Sequence, residues 1–274
     1  MEELNLDIIF GWLQIFDLLS LWAMAAIFFI TMMIALEIAF HVGRSRRLTW
    51  RDPEKGGGGI VQTSLFAVLG LVLAFTYSAS LNKYETRKAA LVNEANAIGT
   101  AFYRADLAVE PGRQELMTSL YEYAQTRTIP SHTVHTPEEF QNIISRTLEK
   151  QSLIWPAVRQ VVAQDNPFPL EASIVAAVNS VMDAHTFRLA AVVDRLEPTI
   201  VWLLVLAAAS AMSVAGYNAG LQDRISRWRM AAFSIVLTAL AIVILDLDRP
   251  NDGTMVVDQR MMDMTIADMY KMLH

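Results

Sequence analysis

Gly70–Leu107 reads GLVLAFTYSASLNKYETRKAALVNEANAIGTAFYRADL, and its two halves follow different rules. Up to Leu81 the residues are apolar or carry small hydroxyls. From Asn82 onward charges appear, yet Leu81, Tyr84, Lys88, Leu91, Ala95, Ile98, Phe102 and Ala105 recur at steps of three and four. That spacing keeps one face of a helix apolar. No Pro or Gly falls between Leu71 and Ile98. The stretch therefore predicts one helix that leaves an apolar phase and enters a water-exposed helical domain. Lys88 is the exception on the seam, expected to snorkel or to pair with an acid such as Glu85.

Composition agrees. Of 274 residues, 54% are hydrophobic and 18% charged, with a mean hydropathy of +0.33. This is too apolar for an ordinary soluble domain and too charged for membrane spans alone. There is no cysteine, so disulfide and thiolate chemistry are excluded. A net charge of −6 without a basic stripe argues against nucleic-acid binding. The start, MEELNLDIIF, lacks the positive region of a cleaved signal, so the first apolar run is expected to stay as an anchor.

Four spans are predicted: Leu18–Leu36, Ile60–Leu81, Thr199–Tyr217 and Met230–Leu245, the last short against the ~20 residues a bilayer core needs. Lys and Arg concentrate in two short loops. Arg44, Arg46, Arg47, Arg51 and Lys55 lie in the first, Arg224, Arg227 and Arg229 in the second. Such loops face the cytoplasm. The N-terminus, residues 82–197 and the C-terminal segment would then lie outside it. The expected organisation is 1–81 (two spans), 82–197 (extracytoplasmic helical bundle), 198–248 (two spans) and 249–274 (extracytoplasmic tail).

The outer segment reads as four helices. The first continues from the second span. A second starts at Pro111, with Leu116, Leu120 and Tyr123 inward. A third starts at Thr136-Pro-Glu-Glu139, a capping-box pattern, with Phe140, Ile143, Ile144, Leu148 and Ile154 on its buried face and a kink or restart at Pro156. The fourth carries Ile174, Val178, Val181, His185, Leu189, Val192 and Leu196 and leads through Pro198 into the third span. No strand alternation occurs. The fold class is all-α: four transmembrane helices, with a four-helix bundle continuing from the second and third spans.

Candidate sites are few. Ala67, Gly70, Ala74 and Ser78 share a face of the second span, which suits close packing or a pore wall. Ser64, Gly70, Thr76, Ser78 and Ser80 are the pore-lining candidates. Glu37 is expected to pair at the surface with His41 or Arg44. His132 and His135 lack the further ligands a metal needs, and His185 reads as a core histidine with a partner. The run Ile244–Gly253, ILDLDRPNDG, places Asp246, Asp248 and Asp252 together. An EF-hand is excluded, because no Glu stands at the twelfth position. These carboxylates either accept bonds from neighbouring helix ends and arginines such as Arg249, or they hold a divalent cation. No other cofactor is expected. No nucleophile with its base can be identified, so an enzyme is not expected.

Two stretches carry a resemblance. Gly70–Leu107 and Ile244–Val257, with Glu94–Thr100 (EANAIGT) and Asp246–Pro250 (DLDRP) as their specific cores, resemble the signatures of the bestrophin-like domain family of bacterial integral membrane proteins. The family is largely of unknown function. Its namesakes, the bestrophins, are pentameric anion channels, so the resemblance implies an oligomeric membrane protein and anion conduction. It also implies that Glu94, Asn96 and Arg104 meet Asp246, Asp248 and Arg249 in a polar collar outside the bilayer. From the residues alone, an acidic vestibule of Glu85, Glu94, Asp246 and Asp248 would instead gather cations.

The expectation is an oligomeric ion channel of the bacterial inner membrane, its pore lined mainly by the second span and its partners the lipid bilayer, inorganic ions and further copies of itself. The alternative is a non-conducting sensor or scaffold whose outer bundle binds a ligand or partner.

Overall fold

A computed structural model describes residues 19–49, 58–129, 137–250 and 253–274. All regular structure among the described residues is helical: α1 (Leu21–Thr49), α2 (Gly58–Ala105), α3 (Gly112–Gln125), α4 (Pro137–Val162), α5 (Phe168–Val193), α6 (Pro198–Gln222), α7 (Arg227–Asp248) and α8 (Arg260–Leu273). Four helical stretches are long and apolar enough to cross a membrane, the third running over both α5 and α6. The buried charges of α5, described below, place that span in α6. The expected start at Leu18, the glycines Gly56 and Gly57, Thr136, and the pair His132 and His135 lie outside the described residues.

At about 1.5 Å per residue the 48 residues of α2 measure about 72 Å, more than twice a bilayer core. The apolar half, Ile60–Leu81, is long enough to be the span, and the helix runs on unbroken to Ala105. Gly99 does not interrupt it. The second predicted continuation differs. Asp194–Glu197 separates α5 from α6, both Asp194 and Glu197 are extended, and Pro198 opens α6. A residue before proline avoids the helical region, which fixes the break. Pro156, by contrast, lies inside an uninterrupted α4.

The chain divides into two compact units. The first comprises residues 1–82 and 195–248. Its core joins Met32, Leu36, Leu69, Leu73, Leu204, Ala208, Met212 and Leu237. Glycines set the approach of α1 to α6. A Cβ on Gly216 would overlap the Leu36 carbonyl, one on Gly220 the Phe40 carbonyl, and one on Gly43 the Tyr217 carbonyl. Small residues four apart let membrane helices pack backbone to backbone. Asp223 ends α6 in the left-handed conformation (φ 52°), and its carboxylate pairs with Arg44 (3.1 Å) and Arg47 (3.2 Å). The expected surface pair of Glu37 is thus rearranged. Arg44 goes to Asp223, while Glu37 keeps His41 within 3.8 Å and accepts from Arg227 of α7 at 2.5 Å. The first basic stretch is also helix rather than loop as far as Thr49. The fourth span is 22 residues, not 16, because polar Arg227–Arg229 and Asp246–Asp248 complete the helix beyond its apolar run.

The second unit comprises residues 83–194 and 249–274. Leu91, Ala95, Ile98, Phe102 and Ala105 of α2 are buried as the seam predicts. Lys88 is exposed, and the buried cation is its neighbour Arg87, 4% exposed. Arg87 stands three residues after Tyr84 and four before Leu91, so it satisfies the same three-four spacing as Lys88. Asn166 accepts from the Val109 N–H (3.0 Å) and donates to the Val161 carbonyl (2.8 Å), pinning the α4–α5 connection. The predicted C-terminal tail is instead a helix in this unit. Met262 and Met269 of α8 enter the same core as Phe102, Leu116 and Ile174, so the bundle contains five helical segments rather than four.

Candidate functional site

The span half of α2 has two faces. Leu69, Leu73, Thr76 and Ser80 are buried. Thr76 donates back to the Val72 carbonyl of its own helix (2.7 Å), and the buried Ser80 hydroxyl has no hydrogen-bond partner among the described residues. Ser64, Ala67, Gly70, Ala74 and Ser78 are exposed, and a Cβ on Gly70 would meet nothing within 4 Å. The five pore-lining candidates therefore divide. Ser64, Gly70 and Ser78 face away from the unit, and Thr76 and Ser80 face into it. A period of 100° per residue separates Ser78 from Ser80 by about 200°. Beside these small residues α2 also exposes Val68, Leu71 and Phe75, and the other membrane helices expose Trp22, Ile27, Ile30 and Ile34 on α1 and Trp202, Leu203 and Leu206 on α6.

The conspicuous constellation in the second unit surrounds Glu94, which is fully buried. Its Oε1 accepts from Arg127 Nε (2.7 Å) and Tyr123 Oη (2.8 Å), and its Oε2 from Arg188 Nη1 (2.8 Å). Arg188 Nη2 continues to Gln259 Oε1 (3.2 Å). Tyr123 Oη also lies 3.2 Å from His185 Nδ1. Its single proton goes to the carboxylate, so neutral His185 carries its proton on Nδ1 and donates to the tyrosine oxygen. Burial pushes the Glu94 carboxyl up, but the charges and hydrogen bonds of Arg127 and Arg188 outweigh it, and the net is below the ordinary carboxylate value. Burial, reinforced by Arg127, lowers His185 to about 4, and burial likewise pushes Tyr123 well above the usual phenol range. The cluster is a fixed charge network held by α2, α3, α5 and the C-terminal segment.

On α2 the three collar candidates separate. Glu94 points inward, whereas Asn96, about 200° around the helix, is exposed, and Arg104 donates to the Ser173 carbonyl (2.9 Å). The three do not share a face. Asp248, the last residue of α7, accepts from the Leu196 N–H (2.8 Å) and from Arg195 Nε (3.3 Å), so it ties the entry of α6. Asp246 and Arg249 are buried, and Glu85 is exposed. With Glu94 and Asp248 neutralised by arginines, the acidic vestibule loses half of its named carboxylates. Asp252 lies outside the described residues. Among the described residues no three His, Asp or Glu side chains gather as metal ligands.

Arg87, Arg127, Arg188 and Gln259 escaped the sequence reading. They are 172 positions apart from first to last, and no spacing rule links them; the signal available was Glu94 itself, an acid one turn from Leu91 and Ile98 on an apolar face. The α8 signal was plainer: Met262, Ile266, Met269 and Leu273 follow a helical period.

The family model described as Bestrophin-like domain matches residues 26–262. No curated protein matches the sequence. Among solved structures, a bacterial bestrophin homologue from Klebsiella pneumoniae is similar at 11% identity and a TM-score of 0.64, over 91% of this chain and 97% of that one. A single-substitution variant of that homologue gives 11% identity and a TM-score of 0.65, over 89% and 96%. At that identity the likeness is one of fold.

Proposed function

Because this chain belongs to the bestrophin-like domain family, we propose that it is an oligomeric ion channel of the bacterial inner membrane whose conduction path is lined by the outward face of α2. The observation that carries this is the contrast between helices. The outward surface of α2 carries Ser64, Gly70, Ala74 and Ser78 among exposed Val68, Leu71 and Phe75, while α1 and α6 turn Trp, Ile and Leu outward. Hydroxyls and small residues leave room for an ion and its water, and bulky apolar side chains suit lipid. A single subunit's outward face encloses nothing, so several copies must bring their α2 helices together, as the likeness to pentameric bestrophins also suggests. The burial of Glu94 and Asp248 in arginine pairs weakens the case for cation concentration, and anion passage is the better supported selectivity. The basic residues Arg44, Arg46, Arg47, Arg224, Arg227 and Arg229 support an orientation with both connecting ends of the spans in the cytoplasm and the two termini outside it.

Planar-bilayer recording from the purified oligomer in asymmetric KCl tests this. Discrete steps with an anion-side reversal potential are expected. Ser64→Trp or Ser78→Trp should cut unitary conductance several-fold, while Ile34→Trp on the outward face of α1 should leave it unchanged. Silence from an intact oligomer across voltage and pH would overturn the proposal in favour of a non-conducting sensor or scaffold.

A further inference from the structure

Beside the Glu94 network lies a cavity of about 60 Å³. One side is polar: Arg87, Arg127, Arg188 and Gln259. The opposite wall is apolar and comes from α4 and α5: Ile143, Ile144, Leu189 and Val192. The C-terminal segment closes it through Pro250, Val257 and Gln259. Arg127 and Arg188 are 7% and 6% exposed, and among the described residues both make their ion pairs with the one carboxylate of Glu94. The other titratable neighbours of that carboxylate, Tyr123 and His185, are neutral. The arginine pair thus carries one positive charge more than Glu94 supplies, in a place where water is scarce. A buried charge in excess calls for a counter-charge.

We propose that this cavity is a binding site for a small aliphatic monocarboxylate. Its carboxylate meets the guanidiniums of Arg127 and Arg188, with the buried Arg87 also in the lining, and its short chain lies against Ile143, Ile144, Leu189 and Val192. Guanidinium forks match a carboxylate's two oxygens. A single negative charge equals the excess, whereas a doubly charged oxyanion would be desolvated against isoleucine. A water needs roughly 10–15 Å³ on this measure, so the space takes about four or five water-sized groups, the size of propionate.

The test is calorimetric titration of the full-length protein in detergent with sodium propionate at constant ionic strength, alongside propionamide, sodium chloride and sodium phosphate. Saturable binding and a raised melting temperature are expected with propionate and with none of the other three. Arg127→Lys, which removes the fork but keeps the charge, should weaken binding at least tenfold. Ile144→Phe, at a half-buried position on the apolar wall, should fill the cavity and abolish binding while gel filtration and circular dichroism stay unchanged; this variant decides the matter if Arg127→Lys fails to fold. No saturable propionate signal, an equal response to propionamide, chloride or phosphate, or undiminished affinity in Ile144→Phe would overturn the proposal. Because the readout is binding and not current, its failure is separable from that of conduction.

Discussion

His185 makes the bundle sensitive to mild acid. In the folded state its protonation falls from 6.5 to about 4, because burial and the neighbouring Arg127 oppose a further positive charge. The groups facing it are Arg127, Arg188, Glu94 and Tyr123. Once unfolded, the same imidazole binds a proton near 6.5. Between these values the unfolded chain holds more protons than the folded one, so stability falls as pH falls. At about 1.4 kcal/mol per pH unit, the window from 6.5 down to about 4 corresponds to about 3 kcal/mol. For a chain of this size that is a drop in melting temperature on the order of 10 °C. The assay is tryptophan-fluorescence melting of the detergent-solubilised protein at half-unit intervals from pH 8 to 4, for the wild type and for His185→Gln. The glutamine keeps a donor for the Tyr123 oxygen and cannot titrate. It should flatten the part of the curve between 6.5 and 4 while leaving the steeper loss at lower pH, where Glu94 protonates. A wild-type curve that is flat over that window, or a His185→Gln curve that follows the wild type, would refute the reasoning.

Three further outcomes are expected. Glu94→Gln should destabilise the protein by about 3–5 kcal/mol, read as a fall in the same melting temperature, because its amide nitrogen must face a guanidinium donor and two buried arginines lose their counter-charge. Gly216→Val should separate α1 from α6 and lower both melting temperature and the yield of intact oligomer on gel filtration, a loss on the order of 1–3 kcal/mol, since the added carbons would overlap the Leu36 carbonyl. Asn96→Cys, in this cysteine-free chain, should react with a membrane-impermeant maleimide added outside intact cells, and protection there with labelling only after lysis would reverse the assigned orientation.

Short-range order was legible before any coordinates. The apolar run to Leu81 and the three-four spacing beyond it predicted that α2 leaves the bilayer without a break, and the structure has that helix continuous to Ala105. Hydropathy located the four spans because each is a local property of about twenty consecutive residues. The seam exchanged Lys88 for Arg87, since steps of three and four from Tyr84 to Leu91 admit either residue. The helix Arg260–Leu273 was missed although its period stands in the sequence, because it is short and follows the turn-forming Pro250 and Gly253, so it reads as a tail.

Pairing between distant positions belongs to the tertiary structure. Asp248 was expected to meet a helix end or an arginine, and it meets both, but that the partners are Leu196 and Arg195 depends on α7 ending beside the start of α6. Glu94 read as a member of a polar collar, and only the folded bundle shows it buried between Arg127 and Arg188. Ser64 and Ser80 looked alike as hydroxyls on one span, yet packing against Leu69 and Leu73 turns one outward and the other in. The physical reason is the same in each case. Backbone periodicity and transfer from water act residue by residue and are written in the chain, whereas a charge network forms where helices far apart in sequence converge, and the sequence alone does not say which side chains share that space.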